Sequence, residues 1–241
     1  LAGVLLKIGA YGWLRMAIPF FPAEAVNAAS ILAGLGVLSI LYGAYNALAM
    51  TDLKKLVAYS SVSHMGFVLL GIASFTPEGW QGAIFQMLSH GINVIGLFFV
   101  IEIIERRTKS RELAQLGGIT QSSYVLTVCF IILSLGSVAL PLTNGFIGEF
   151  ILLKSIFDYS MIFGIVAGIT IILGAVYTLR LIQKTMFGNV SRITTEFSKL
   201  TLEEKMVLIP LSIFVLLGGI FPNAILHFSE ESVSQITQLL K

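Results

Sequence analysis

Long apolar runs dominate this sequence and leave it few folds to adopt. An α-helix needs about 20 mostly apolar residues to cross the hydrocarbon layer of a membrane, and lipid offers no partners for backbone N–H and C=O groups. Each run must therefore satisfy its own backbone as a helix. Seven segments meet that test, at about 1–21, 25–50, 55–75, 80–104, 123–158, 161–187 and 205–228. The sequence predicts an all-α integral membrane protein of about seven transmembrane helices, in a single membrane domain covering 1–241. Charged residues make up 12% of the chain, about half their share in a soluble domain. The chain opens on Leu1 within an apolar run, with no initiator Met or basic leader, and reads as the C-terminal part of a longer protein.

The cations sit where a membrane protein uses them to set its topology. Lys54 and Lys55, then Arg106, Arg107, Lys109 and Arg111, then Arg192, Lys199 and Lys205 fall in alternate connections. The connections near Pro22, Pro77 and Asp158 carry no Lys or Arg. Positive charge stays on the inner side, so the basic loops are expected in the cytoplasm and the C-terminus across the membrane. Clustering of this kind is a topology signal and not a nucleic-acid patch. The single cysteine, Cys129, excludes a disulfide framework within the chain and a thiol-held iron–sulfur cluster.

The fifth segment is too long for one span and is interrupted by Leu140-Pro141-Leu142-Thr143-Asn144-Gly145. Pro141 removes a backbone donor and Gly145 loosens the helix. The bland reading is a proline kink. The functional one is a discontinuous helix lining an ion site, as in many transporters, and Glu149 just beyond the break favours it.

A charge at the bilayer centre costs roughly 2.5 to 3.5 kcal/mol on insertion scales, so each ionisable residue within a span needs a compensating environment or a role. Four call for that account: Lys7, His64, His90 and Glu149. Lys7 has Gly3 at i−4 and Ala10 at i+3, room for water or a neighbouring helix; a lysine reaching for the interface is the alternative. His64 has Ser60 and Ser61 one turn back, hydroxyls able to orient its imidazole or hold water. Gln86 and Asn93 extend the face of His90 into a polar stripe, although either histidine could instead be satisfied by a helix–helix hydrogen bond. Lys154 with Asp158, and Glu102 and Glu105 beside Arg106 and Arg107, read as interfacial groups, as does His227 at the end of the last span. No zinc spacing, serine–histidine–aspartate order or nucleotide-binding glycine loop is present. A lysine, two imidazoles and a carboxylate can pass protons through intervening water, in the order Lys7, His64, His90, Glu149 along the chain.

Several motifs together resemble the antiporter-like membrane subunits of respiratory complex I, most closely the NADH dehydrogenase subunit 4 type, bacterial chain M. They are Leu5-Leu6-Lys7 through Ala10-Tyr11-Gly12, the long run Thr51-Asp52-Leu53-Lys54-Lys55-Leu56-Val57-Ala58-Tyr59-Ser60-Ser61-Val62-Ser63-His64-Met65-Gly66-Phe67, Gln86 to Gly91, and Asn144-Gly145-Phe146-Ile147-Gly148-Glu149-Phe150. The resemblance implies about fourteen helices in a full member, of which this chain holds the last seven. It implies two inverted five-helix repeats, the second here at about 25–187 between flanking helices at about 1–21 and 205–228. It makes Lys7 the central lysine, His64 and His90 the continuation, and Glu149 the terminal site of the second half-channel. Glutamate at that position matches the subunit 4 type, where related chains carry lysine.

The implied function is proton translocation by a membrane subunit of NADH:quinone oxidoreductase. The NADH, flavin, iron–sulfur clusters and quinone are expected in partner subunits, with no cofactor or metal in this chain. The implied partners are the other membrane subunits of that complex, lipid, water and protons, in a bacterial inner membrane. A subunit of an Mrp-type cation/proton antiporter or of a membrane-bound hydrogenase is the alternative, and a passive membrane scaffold a third.

Overall fold

The computed structural model describes residues 2–238. Its helices are α1 (Leu5–Gly12), α2 (Ile18–Phe20), α3 (Pro22–Asn27), α4 (Ala29–Ala49), α5 (Leu53–Ala73), α6 (Pro77–Thr108), α7 (Tyr124–Ser137), α8 (Asn144–Tyr159), α9 (Met161–Met186), α10 (Leu202–Ile220) and α11 (Asn223–Gln238). A π turn, Trp13–Ala17, joins α1 to α2. Four helices, α4, α5, α6 and α9, are each long and apolar enough to cross a membrane, and the pair α10 and α11 passes that test together. The fifth segment of the sequence reading divides into α7 and α8 around residues 138–143.

The boundary at the end of the last span differs from expectation. The last span does not run on to residue 228: α10 ends at Ile220, and α11 departs from it at 68°. Pro222 lacks the N–H that a continuing helix needs at that position. His227 therefore lies on α11, exposed, with Nδ1 3.0 Å from Glu230 Oε2. Lys154 and Asp158 are both exposed at the end of α8.

The helix starts are chemically marked. Asp52 accepts from the N–H groups of Lys54 and Lys55 at 2.8 and 3.0 Å, capping α5. Thr76 does the same for α6 through Gly79 N, with Pro77 at its first turn. Thr201 and Glu204 form a reciprocal capping box on α10.

All three basic connections gather at one end of the bundle. Thr51 to Leu53 pair with Arg111 to Leu113 in a short antiparallel bridge, and Arg111 Nε lies 3.1 Å from Asp52 Oδ2. Gly118 N donates to Phe187 O, and Thr194 donates to Gly117 O at 2.7 Å. Arg106 and Arg107 both pair with Glu204. The connection between α5 and α6 and the end of α8 occupy the other end.

Between the ends the interior is layered. Leu53, Leu97, Phe130 and Tyr177 belong to one apolar cluster near the basic loops, and Phe67, Trp80, Leu152 and Ala167 to a second near the opposite end. The intervening turns of α5, α6, α8 and α9 carry buried Ser60, His64, Gln86, His90, Asn93, Glu149 and Thr170. A polar belt thus lies midway along the helices, between two dry cores. Outer faces of α1 and α4 expose apolar side chains such as Ile8, Tyr11, Ile31 and Leu38, as surfaces in contact with lipid do.

Helices α4 and α5 touch backbone to backbone just beside this belt. A Cβ on Gly66 would stand 2.7 Å from Gly36 O and 2.8 Å from the N of Ile40. Replacing Gly66 by Ala forces the two helices apart, at about 1–3 kcal/mol. Gly34, with open space around it, should accept alanine and gain up to about 1 kcal/mol from helix propensity. Comparing the two variants by thermal unfolding in membranes checks this: equal melting temperatures would show that the helix contact is looser than described.

Candidate functional site

The polar belt brings all four ionisable residues into one line, in an order that differs from their order in sequence. Lys7, on α1, places Nζ 2.8 Å from His90 Nδ1 on α6, and also donates to Ala2 O at 2.5 Å. The His90 and His64 rings lie 5.3 Å apart between centroids, tilted by 55°. His64, on α5, then brings Nδ1 2.8 Å from Glu149 Oε1 on α8. The spatial order is Lys7, His90, His64, Glu149, so the histidine that comes second along the chain stands next to the lysine. Helix spacing reveals which residues share a face, but not which helix that face meets.

The turn before α1 comes close to α6 at Gly91, where a Cβ would stand 3.2 Å from Gly3 O. An ammonium at Lys7 is a donor only, so it fixes His90 Nδ1 as acceptor and leaves the imidazole proton on Nε2. That Nε2 is buried without a hydrogen-bond partner among the described residues, as are both ring nitrogens of His64. The His64–Glu149 contact is therefore an approach at ion-pair distance, off the line that a hydrogen bond requires. Buried polar atoms left in this state are the kind that ordered water satisfies.

Glu149 has a second neighbour. Gln86 Nε2 donates to its Oε1 at 3.3 Å, and Gly148 gives Gln86 the space to do so, since a Cβ there would strike the Gln86 side chain. A cavity of about 10 Å³ is bordered by His64, Glu149, Thr170 and Tyr177, about the room one water molecule needs. Thr170 and Tyr177 lie on α9 and were not singled out from sequence. Tyr177 is almost fully buried; the signal for it was a phenol within an apolar span, where its hydroxyl needs a polar neighbour.

The supporting residues divide. Gln86 serves Glu149 and not His90. Asn93 lies against Gly136 of α7, and its Oδ1 is unpartnered among the described residues. Ser60 and Ser61 do not orient His64: both hydroxyls donate to Val57 O at 2.9 Å. A serine within a helix can always reach a carbonyl one turn back, and here that local bond prevails.

The break between α7 and α8 rests on α7 and α10, while Leu140, Pro141 and Leu142 are exposed. Ala139 and Leu142 adopt left-handed conformations, at φ 55° and 74°. Pro141 sits exposed between them, and Thr143 Oγ1 donates to Leu140 O at 2.6 Å. Gly145 lets the half-helices meet, because a Cβ there would run into the Gly136 carbonyl. Helix α10 backs the loop, with Gly219 against Leu142 and Thr143. Irregular backbone at membrane depth is tolerated only under such cover. Among the described residues, no three His, Cys, Asp or Glu side chains form a group able to hold a metal ion.

Comparison with known proteins places this geometry in context. A family model described as NADH:quinone oxidoreductase/Mrp antiporter, transmembrane, matches residues 1–174, a stretch that contains all four members of the line. NADH-quinone oxidoreductase subunit M of Rickettsia bellii is 41% identical over 237 residues, covering 98% of this chain and 48% of that protein. A chain in the structure of respiratory complex I from Thermus thermophilus with bound NADH superposes with a TM-score of 0.90 at 33% identity, over 98% of this chain and 50% of that one. A chain of the Mrp complex from a Dietzia species has the same fold, with a TM-score of 0.89 at 21% identity, over 100% of this chain and 54% of that one. The chain thus spans about half the length of the relatives it matches.

Proposed function

The chain belongs to the NADH:quinone oxidoreductase/Mrp antiporter transmembrane family, and from that premise we propose that it is a proton-conducting membrane subunit of an NADH:quinone oxidoreductase, of the subunit M kind. The observation that carries this reading is the buried line in which 2.8 Å contacts join Lys7 to His90 and His64 to Glu149. Residues 25–187 act as one half-channel, and the helices on either side frame it. Oxidation of NADH and reduction of quinone occur in partner subunits, which hold the flavin and iron–sulfur clusters. The complex sits in a bacterial inner membrane, with the basic loops of this chain on the cytoplasmic side.

Each step follows from the groups present. The Lys7 ammonium gives its proton to His90 Nδ1, and the imidazolium gives its other proton to His64 through water. Histidine suits this intermediate place because its unperturbed pKa lies near 6.5. The Glu149 carboxylate is the last acceptor. Two unit charges about 10 Å apart interact by about 1.7 kcal/mol at an effective dielectric near 20, a little over one pKa unit. Protonation at one site of the line therefore biases its neighbour. A path of this kind becomes a pump only when redox chemistry elsewhere changes the charge at its entrance.

Replacing Lys7 by Ala in the assembled complex is expected to lower the number of protons moved per NADH oxidised in inside-out vesicles. An unchanged ratio would sink the reading. Transport that persists without NADH and requires sodium would assign the chain to an antiporter instead.

A further inference from the structure

Beyond Glu149, toward the end of the bundle opposite the basic loops, α5, α6 and α8 meet in a seam that the line from Lys7 does not use. Glu149, Leu152 and Ser155 follow one another at three-residue steps on α8, which places them on one side of the helix. Leu152 is fully buried. Glycines surround it: a Cβ on Gly82 would stand 3.2 Å from Leu152 Cγ, and one on Gly71 would strike its Cδ2. One turn further, Ser155 Oγ lies 2.7 Å from both Ser74 Oγ and Thr76 Oγ1, which are 3.0 Å from each other. Ser74 also reaches Gly71 O at 2.8 Å, and Thr76 caps α6. Ser155 and Ser74 are buried, whereas Thr76 is half-buried in the connection between α5 and α6. The three hydroxyls thus lead from the interior to the surface.

We propose that this seam is the outlet for the proton held at Glu149, with Leu152 as its dry plug and the Ser155, Ser74 and Thr76 hydroxyls as its outer relay. The proposal rests on the proton-conducting reading of the chain and names the residues that complete it. A hydroxyl both donates and accepts, so a contiguous set can pass a proton without holding a charge for long. Leucine side chains change rotamer without moving the backbone, and when Leu152 turns aside water reaches from Glu149 to Ser155. The carboxylic acid gives its proton to that water, and the water gives one to Ser155. Ser155, Ser74 and Thr76 each accept a proton and release their own to the next oxygen. Water outside Thr76 takes the last. Each hydroxyl ends with one O–H bond and Glu149 ends as carboxylate; no electrons are transferred. With Leu152 in place no polar group bridges the gap, and return flow is blocked.

The test uses the assembled complex in sealed inside-out vesicles, reading NADH oxidation and the pH gradient together. Leu152→Ala is expected to keep NADH oxidation, collapse the gradient and raise the passive proton leak several-fold, whereas Leu152→Ile, which conserves volume, should behave as wild type. If the alanine variant does not assemble, Leu152→Val carries the same comparison with a smaller truncation. Ser155→Ala is expected to reduce protons moved per NADH and to abolish part of the solvent deuterium effect on pumping, which a merely structural serine would not alter. Wild-type leak in the Leu152 variants would overturn the plug, and wild-type stoichiometry and isotope effect in Ser155→Ala would overturn the relay. Glu149→Gln separates the levels: if it stops pumping while the Leu152 and Ser155 variants are normal, only the outlet falls; if it too is silent, the conducting role itself fails.

Discussion

Exchanging Glu149 for glutamine is expected to stop proton movement through this chain while leaving the subunit assembled. Glutamine has nearly the same shape, and its amide oxygen can still accept from Gln86, whose Nε2 lies 3.3 Å from Glu149 Oε1 in the native site. An amide does not take up a proton at neutral pH. A positioned acid–base group contributes about 10²- to 10⁴-fold to the rate of a proton transfer, and a loss on that scale makes transfer through this chain negligible beside turnover. The measurement is protons moved per NADH oxidised, with subunit content determined on the same vesicles. Glu149→Asp keeps the carboxylate but withdraws it from His64 by roughly one C–C bond, about 1.5 Å, so an intermediate yield is expected. A glutamine variant with native yield would overturn the conducting role of the line.

Loss of Glu204 should have the largest effect on stability. Its carboxylate receives Arg106 Nη2, Arg107 Nη2 at 2.6 Å and the backbone N–H of Thr201 at 2.9 Å, while Thr201 returns the favour to Glu204 N. This one side chain ties the end of α6 to the start of α10. Arg107 is mostly covered, with its guanidinium over the Phe197 ring at 5.1 Å, so Glu204→Ala leaves a cation with little water to replace its partner. Breaking such a buried pair costs about 3–5 kcal/mol. Arg106 is 59% exposed, and its share of the loss is small. Glu204→Gln preserves the cap and should lose less. The check is the level of assembled complex in the membrane and its melting temperature, for which Ala is expected below Gln and Gln below wild type. Equal values for all three would show that α10 is held by its apolar packing alone.

Much of this arrangement was legible in the residues because lipid simplifies the code. Apolar runs of sufficient length had to become helices, and Pro141 and Gly145 marked a place where a run had to divide. Lys7, His64, His90 and Glu149 stood out because each is costly in an apolar span. What could not be read was the contact between faces. Ser60 and Ser61 shared a side of α5 with His64, yet a carbonyl of their own helix satisfied them first. Gln86 shared a side of α6 with His90, yet it reaches across to α8. The placing of the helices relative to one another decides that His90 and not His64 meets Lys7, and no periodicity within one helix encodes that placing. Tyr177 is not marked in the sequence because the carboxylate beside it belongs to α8 and not to its own helix. The end of the last span was misjudged because Phe221 and Ile225 continue its hydropathy past Pro222, where the backbone turns away.

The glycine contacts beside the belt bear on how this chain can respond to events elsewhere. At Gly66 two backbones meet with no side chain between them, and at Gly148 the backbone of α8 rests on the Gln86 side chain. A helix pair seated in this way has no compliant layer on which to slide, and close-packed interiors shift between discrete arrangements more readily than they deform. The frame around the four groups is therefore stiff, and in the proposed conduction what changes is their charge. News of a distant reaction would reach Glu149 as a field felt across a clamped stack of dipoles, with side chains reorienting inside a scaffold that stays still.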